Sequence, residues 1–231
     1  MTKFFCVKTI NLALIVGVAV PSWAQAAPSG PAIVSFSLPN ASYKVPLPNG
    51  YCIPVGKYVE KAKLVAETDN DNRTDLTFYR CADMAAGADL TSWGMIKTPV
   101  NTVGVKAPTR TELFAELKTQ IDPAAMKQLD DEAIKQAGPL AKRVFGQDLK
   151  VGMNTKAVGA DKFGIYFAGT VTVTDAQNKT STLAIAYAIT VVNGGVFSVD
   201  VYSLFHDTRD VVDAVEKVEK ETADFVNANG G

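Results

Sequence analysis

Hydrophobic and polar positions alternate most clearly in the last third of the chain. Ile165, Phe167, Val171 and Val173 take one side of a run whose other side is Tyr166, Ala168, Thr170 and Thr172, the period of a strand. Asp175 to Lys179 is polar and turns the chain. Leu183 to Val192 is uncharged on both faces: Leu183, Ile185, Tyr187, Ile189 and Val191 point one way, and Thr182, Ala184, Ala186, Ala188 and Thr190 the other. A strand with no wet face belongs in the middle of a covered sheet. Asn193-Gly194-Gly195 is a tight hairpin signal, and Phe197, Val199 and Val201 resume the alternation beyond it. These segments predict an antiparallel meander of three strands. The period then changes. Val211, Val215, Val218, Thr222 and Phe225 form the stripe of an amphipathic helix over Asp207 to Asn227, with Asp213–Lys217 and Glu216–Lys220 as ion pairs on its wet side.

Upstream the pattern is more broken. Ile33 to Leu38 predicts a first strand, and the stretch through Pro46-Leu47-Pro48-Asn49-Gly50 reads as turns. Gly56 to Glu67 predicts a short helix with Tyr58, Val59, Ala62, Leu64 and Val65 on its apolar side. Asp75 to Cys81 and Trp93 to Lys97 predict two strands. Thr98 to Pro108 has little periodicity and is the best hinge between halves. Thr109-x-x-Glu112 is a capping box ahead of Leu113, Phe114, Leu117 and Ile121, and Asp122-Pro123 restarts the helix. Met126, Leu129, Ala133 and Ala137 mark the buried face of that second helix. Gly138-Pro139 is expected to end it, leaving Leu140 to Phe145 as a third piece. Strands and helices in separate runs predict an α+β fold, with an antiparallel sheet packed against helices in one main domain. Residues 109–227 are expected to be continuous with 32–98, the disulfide-containing part of an N-terminal segment 27–98.

Helix, three-stranded meander and closing helix, in that order over Thr109 to Asn227, resemble the second half of the Mog1/PsbP/DcrB-like α/β/α sandwich. The resemblance rests on element order and carries no site residues. Several members of that fold group are exported accessory proteins, so it implies an accessory protein without catalysis.

The first residues add an address. Lys3 and Lys8 precede an apolar run from Ile10 to Val20, Pro21-Ser22 breaks it, and Ala24-Gln25-Ala26 is a small-x-small cleavage pattern. Residues 1–26 therefore read as a secretory signal peptide, too short to span a bilayer, and predict an exported protein, periplasmic or secreted. Cleavage leaves 205 of the 231 residues, with 24 acidic against 21 basic side chains. That balance argues against nucleic acid or an anionic membrane as partner. It also leaves two cysteines, Cys52 and Cys81, whose even count and export predict one disulfide. Two thiols and one histidine fall short of the four ligands of a structural zinc site, and no cofactor motif is present.

Candidate chemistry is sparse. His206, the only histidine, sits in Phe205-His206-Asp207-Thr208-Arg209-Asp210, where a strand hands over to a helix. A base supported by Asp207 or Asp210 fits that junction, as do a helix cap and a first-turn acid. Asp69-Asn70-Asp71-Asn72-Arg73-Thr74-Asp75 has the look of a calcium loop but lacks its glycine and glutamate, and reads as a solvated turn. The small face of the long strand, Ala184, Ala186 and Ala188, either takes a closely packed layer or lines a space for an apolar ligand. The leading expectation is an exported, non-enzymatic protein that binds a protein partner or a small apolar ligand. The alternatives are a hydrolase-like enzyme using His206 and an envelope-associated structural subunit.

Overall fold

A computed structural model describes residues 32–39, 41–67, 69–145 and 149–231; the leader at 1–26 lies outside the described residues. Nine strands and five helices follow in order: β1 (Ile33–Leu38), β2 (Ala41–Pro46), β3 (Tyr51–Cys52), α1 (Lys57–Ala66), β4 (Asn72–Arg80), α2 (Cys81–Ala85), β5 (Ser92–Pro99), α3 (Arg110–Gln120), α4 (Pro123–Phe145), β6 (Lys150–Ala160), β7 (Ile165–Thr174), β8 (Thr180–Val192), β9 (Gly195–Leu204) and α5 (Thr208–Ala228). β1 and β2 form a hairpin of their own. The other seven strands make one sheet in the order β3-β4-β5-β9-β8-β7-β6, and every pairing in it is antiparallel. The fold is α+β in one domain, as the patterning predicts. Because β5 pairs with β9, the strands on either side of 98–108 share a sheet, and that segment is a connection within the domain.

Several elements depart from expectation. The meander has four strands, because β6 pairs along the whole of β7. Its sequence alternates poorly, since an edge strand keeps most of its side chains in water. Gly169 of β7 allows the pairing: a Cβ there would fall 1.8 Å from the Asn154 carbonyl oxygen. β2 was hidden among turn residues, although Tyr43 and Val45 point in and Ser42 and Lys44 point out along it. α4 runs unbroken through Gly138-Pro139, so there are two helices where three were expected. An interior proline costs about 3 kcal/mol, yet the 23-residue helix continues through it. On α4, Met126 is buried as expected, but Ala133 is exposed and Asp130 is buried in its stead. Asp130 accepts from the Thr155 amide (2.9 Å) and hydroxyl (2.6 Å), tying α4 to β6. The expected capping box of α3 is present, and Asn193 and Gly194 adopt the positive φ angles (47° and 78°) of a tight hairpin turn.

Helices cover both faces of the sheet. On one face α5 lays Ala214, Val218, Phe225 and Val226 against Ala168, Ala186, Ala188, Val199 and Val201, with Tyr43, Val45 and Phe197 completing this core. Ala184, Ala186 and Ala188 are fully buried. Small side chains on β8 let the helix approach closely, so α5 occupies the space that a ligand on this face would need. The β1–β2 hairpin is bound to the same layer: Asn229, just past α5, takes the Lys44 amide and donates to its carbonyl. Arg73 donates to the Ser37 carbonyl and pairs at 2.9 Å with Asp75, a buried carboxylate that also accepts from Thr98. On the other face Phe114 and Met126 of α3 and α4 pack on Ile165 and Phe167, with Tyr187 and Ile189 against them. Nearer β3, Tyr58 packs with Tyr79 and Leu90 in a smaller cluster. Cys52 and Cys81 are joined as expected, with Cα atoms 5.2 Å apart, which links β3 to the start of α2.

The wet side of α5 pairs differently from the sequence expectation. Arg209 takes Asp213 at 2.7 Å and Lys220 takes Asp224, while Lys217 turns to the Tyr51 hydroxyl at 2.5 Å. Glu221 lies on the buried side, and both of its carboxyl oxygens lack a hydrogen-bond partner. Burial pushes its carboxyl up to about 8; Lys217 and Lys220 pull it down and Asp224 adds to the rise.

Two outcomes follow from this packing. Ala186→Leu adds bulk under α5 and should cost roughly 1–3 kcal/mol, read as a lower urea midpoint at unchanged slope. Glu221 is protonated in the folded protein where an unfolded carboxyl is ionised, so its contribution is complete below about pH 4.5 and is lost as pH rises through about 8. Glu221→Gln, which keeps the neutral shape, should match the parent near pH 5 and melt higher than it at pH 9. Equal melting at pH 9 would contradict a raised Glu221 pKa.

Candidate functional site

Alternation along β5 sends Ile96 toward α5 and Trp93, Met95 and Lys97 to the opposite face. On β9, Val199 and Val201 pack toward α5, leaving Ser198, Asp200 and Tyr202 on that same opposite face. Register places Trp93 beside Tyr202, Met95 beside Asp200, and Lys97 beside Ser198. The Trp93 and Tyr202 rings stack nearly parallel, 5.2 Å apart. A cavity of about 720 Å³ opens over this ladder, within the range for small-molecule sites. α1 walls it with Lys61 and Val65, the turn into β4 with Asp69 to Asn72, and α4 with Glu132 and Ala133. Tyr79, Leu90, Leu183 and Leu204 extend its apolar lining. The space exists because α3 and α4 pack on the β7–β8 side of this face and α1 packs near β4.

Lys97 is the polar centre of this lining. Its ammonium lies 3.1 Å from Asp69 and 3.1 Å from Asp200, and its side chain is only 13% exposed. Burial alone would lower its pKa, but the oxygens of Tyr202, Asp200 and Asp69 outweigh that cost and hold the lysine charged well above its ordinary range. Asp200 is in turn hydrogen-bonded by the Ser198 hydroxyl, with the Tyr202 hydroxyl at 3.5 Å. Asp69 also accepts from the Asn72 amide (3.0 Å) and side chain. Asp69 is thus a partly buried ion-pair member rather than part of a freely solvated turn, and β4 begins at Asn72. The described residues contain no cluster of potential metal ligands.

The His206 junction has a different character. The Asp207 side chain accepts from the Arg209 amide and caps α5, and Asp210 accepts from the amides of His206 (2.6 Å) and Asp207 (3.1 Å). His206 Nδ1 lies 3.3 Å from Asp210, on a side chain 75% exposed. It borders a shallower cavity of about 460 Å³ with Thr91, Ser92, Ser203 and Lys217. There Ser92 donates to the Tyr202 carbonyl at 2.8 Å and also touches Tyr51 and Lys217, so this hydroxyl holds the α5–sheet contact together.

Sequence reasoning named His206, Asp207, Asp210 and the alanine face, and missed Trp93, Lys97, Asp69, Asp200 and Tyr202. A signal was present at Lys97, which follows Trp93 and Met95 at alternate positions on one strand face. A charge inside an otherwise apolar strand face implies either a water-filled space or an opposite charge beside it.

No protein-family model matches the chain, and no curated protein matches it. Among solved structures it is similar to the solution structure of cyanobacterial PsbP (CyanoP) from Synechocystis sp. PCC 6803, at 13% identity over 89% of this chain and 96% of that one, with a TM-score of 0.32. Likeness at that level carries no argument about activity.

Removing the lysine should expose the dependence of the site on charge balance. Lys97→Met leaves Asp69 and Asp200 facing each other without their cation, and should cost roughly 3–5 kcal/mol. Urea titrations of parent and variant check this; an unchanged midpoint would contradict the dependence.

Proposed function

We propose that this protein is an exported, non-enzymatic binding protein that holds a small, largely apolar ligand in the cavity between α1 and α4. The observation that carries the reading is the cavity: about 720 Å³, floored by the stacked Trp93–Tyr202 pair and lined by Tyr79, Leu90, Met95 and Leu183. Aromatic and aliphatic walls with a few fixed polar groups are the usual make-up of a small-molecule site. The Lys97 ammonium is paired with two carboxylates, a poor arrangement for proton transfer. The Cys52–Cys81 disulfide and the leader-like residues 1–26 support export, because disulfides persist in oxidising compartments. No helix among the described residues is long and apolar enough to cross a membrane.

Nile red, a neutral dye that brightens in apolar surroundings, should bind at a single site. Ala133→Trp places an indole at the α4 wall from an exposed helix position, and should weaken dye binding at least tenfold with little change in melting temperature. Equal binding by parent and variant would place the dye elsewhere and remove the support for this cavity. For export, N-terminal sequencing of protein recovered from outside the cytoplasm should begin at Ala27, or at Gln25 by the neighbouring cut; an intact Met1 would exclude cleavage.

A further inference from the structure

The cavity is lopsided in charge. Four carboxylates line it, those of Asp69, Asp71, Asp89 and Glu132, against the two ammonium groups of Lys61 and Lys97. Lys97 is shared between Asp69 and Asp200, so that buried triad keeps one negative charge in excess. At the rim Asp71, Asp89 and Glu132 are exposed, and none of the three has a cationic side chain within ion-pair distance among the described residues. The floor adds an attraction of the same sign. Three aromatic rings, those of Trp93, Tyr202 and Tyr79, contribute to the lining, and a cation is attracted to a position over such a ring. Low-dielectric walls strengthen both effects inside the cavity.

Resting on the reading above that the cavity holds a ligand, we propose that the ligand is an organic cation: a flat apolar body carrying a protonated or quaternary amine. The body lies against the indole and phenol of Trp93 and Tyr202 and the side chains of Leu90 and Leu183. The amine sits toward the unpaired carboxylates of the lining, among them Asp71 and Glu132. An anionic ligand of the same shape meets an excess of like charge and finds its one buried cation already paired.

Three probes with one naphthalene body separate these cases: 2-naphthylmethyl-trimethylammonium, 2-naphthylmethanol and 2-naphthylacetate, titrated calorimetrically into the full chain. The cation should bind at least tenfold tighter than the neutral alcohol, and the acetate weakest of the three. The rim variant Asp71→Asn/Asp89→Asn/Glu132→Gln changes only exposed side chains and should bring the cation within about threefold of the alcohol while leaving alcohol binding unchanged. The cation preference should also shrink between 0.05 and 0.5 M salt, because the rim charges are screened there. If the alcohol binds as tightly as the cation, and Ala133→Trp abolishes both, the cavity is a ligand site but the charge inference is overturned. If no probe binds, or binding survives Ala133→Trp, the site assignment itself fails along with it.

Discussion

Antiparallel pairing between β5 and β9 is the contact on which the rest of this molecule depends. It joins a strand near the middle of the chain to one near its end, and through it the β3-β4-β5 segment and the β9-β8-β7-β6 meander become one sheet. The α5 core and the cavity are both built across it. Ile96 and Val199, opposite each other in the ladder, face α5, and Trp93 with Tyr202 and Met95 with Asp200 face the cavity. A single-residue slip would reverse every one of these side chains. Register is therefore a condition for the core and for the site at once, and the Lys97–Asp200 ion pair lies directly on it.

The two faces solve the covering problem differently. Beneath α5 the sheet presents Ala168, Ala186 and Ala188, so the helix packs closely over the middle of the sheet. On the opposite face α1 and the α3–α4 pair pack at separate places, and bulky aromatic and aliphatic side chains fill what lies under them. The strip over β5 and β9 between those helices is where the cavity lies. Small residues close one face, and helix spacing opens the other.

Charge burial is uneven in a way that follows from this division. In the α5 layer, Asp75 is held by Arg73 and Thr98 where the β1–β2 hairpin meets the sheet, and Glu221 meets no donor and keeps its proton. Around the cavity, Lys97 carries enough neighbouring oxygen to stay charged although largely removed from water. A neutral acid costs far less to bury without a partner than an ammonium does, in keeping with a lysine that comes with two carboxylates and a glutamate that comes with none.

The sequence by itself determined what neighbouring residues decide among themselves: the period-two runs of β7, β8 and β9, the Asn193-Gly194 turn, the capping box of α3, the Asp207 cap and the stripe of α5, and the pairing of the two remaining cysteines. Each depends on side chains a few positions apart or on a simple count. Strands whose pattern was diluted by an edge location or by flanking prolines, β6 and β2, were not legible, because their partners rather than their own alternation fix them. The site was the least legible part. Asp69, Lys97 and Asp200 meet only because strand order puts β5 beside β9 and the turn after α1 beside both, and nothing local to any of the three announces the other two. The alanine face, which sequence left open between packing and binding, was decided by where α5 docks. Local free energies of turn, cap and pleat are written residue by residue; a cavity is the space left between elements, and only their tertiary arrangement sets its walls.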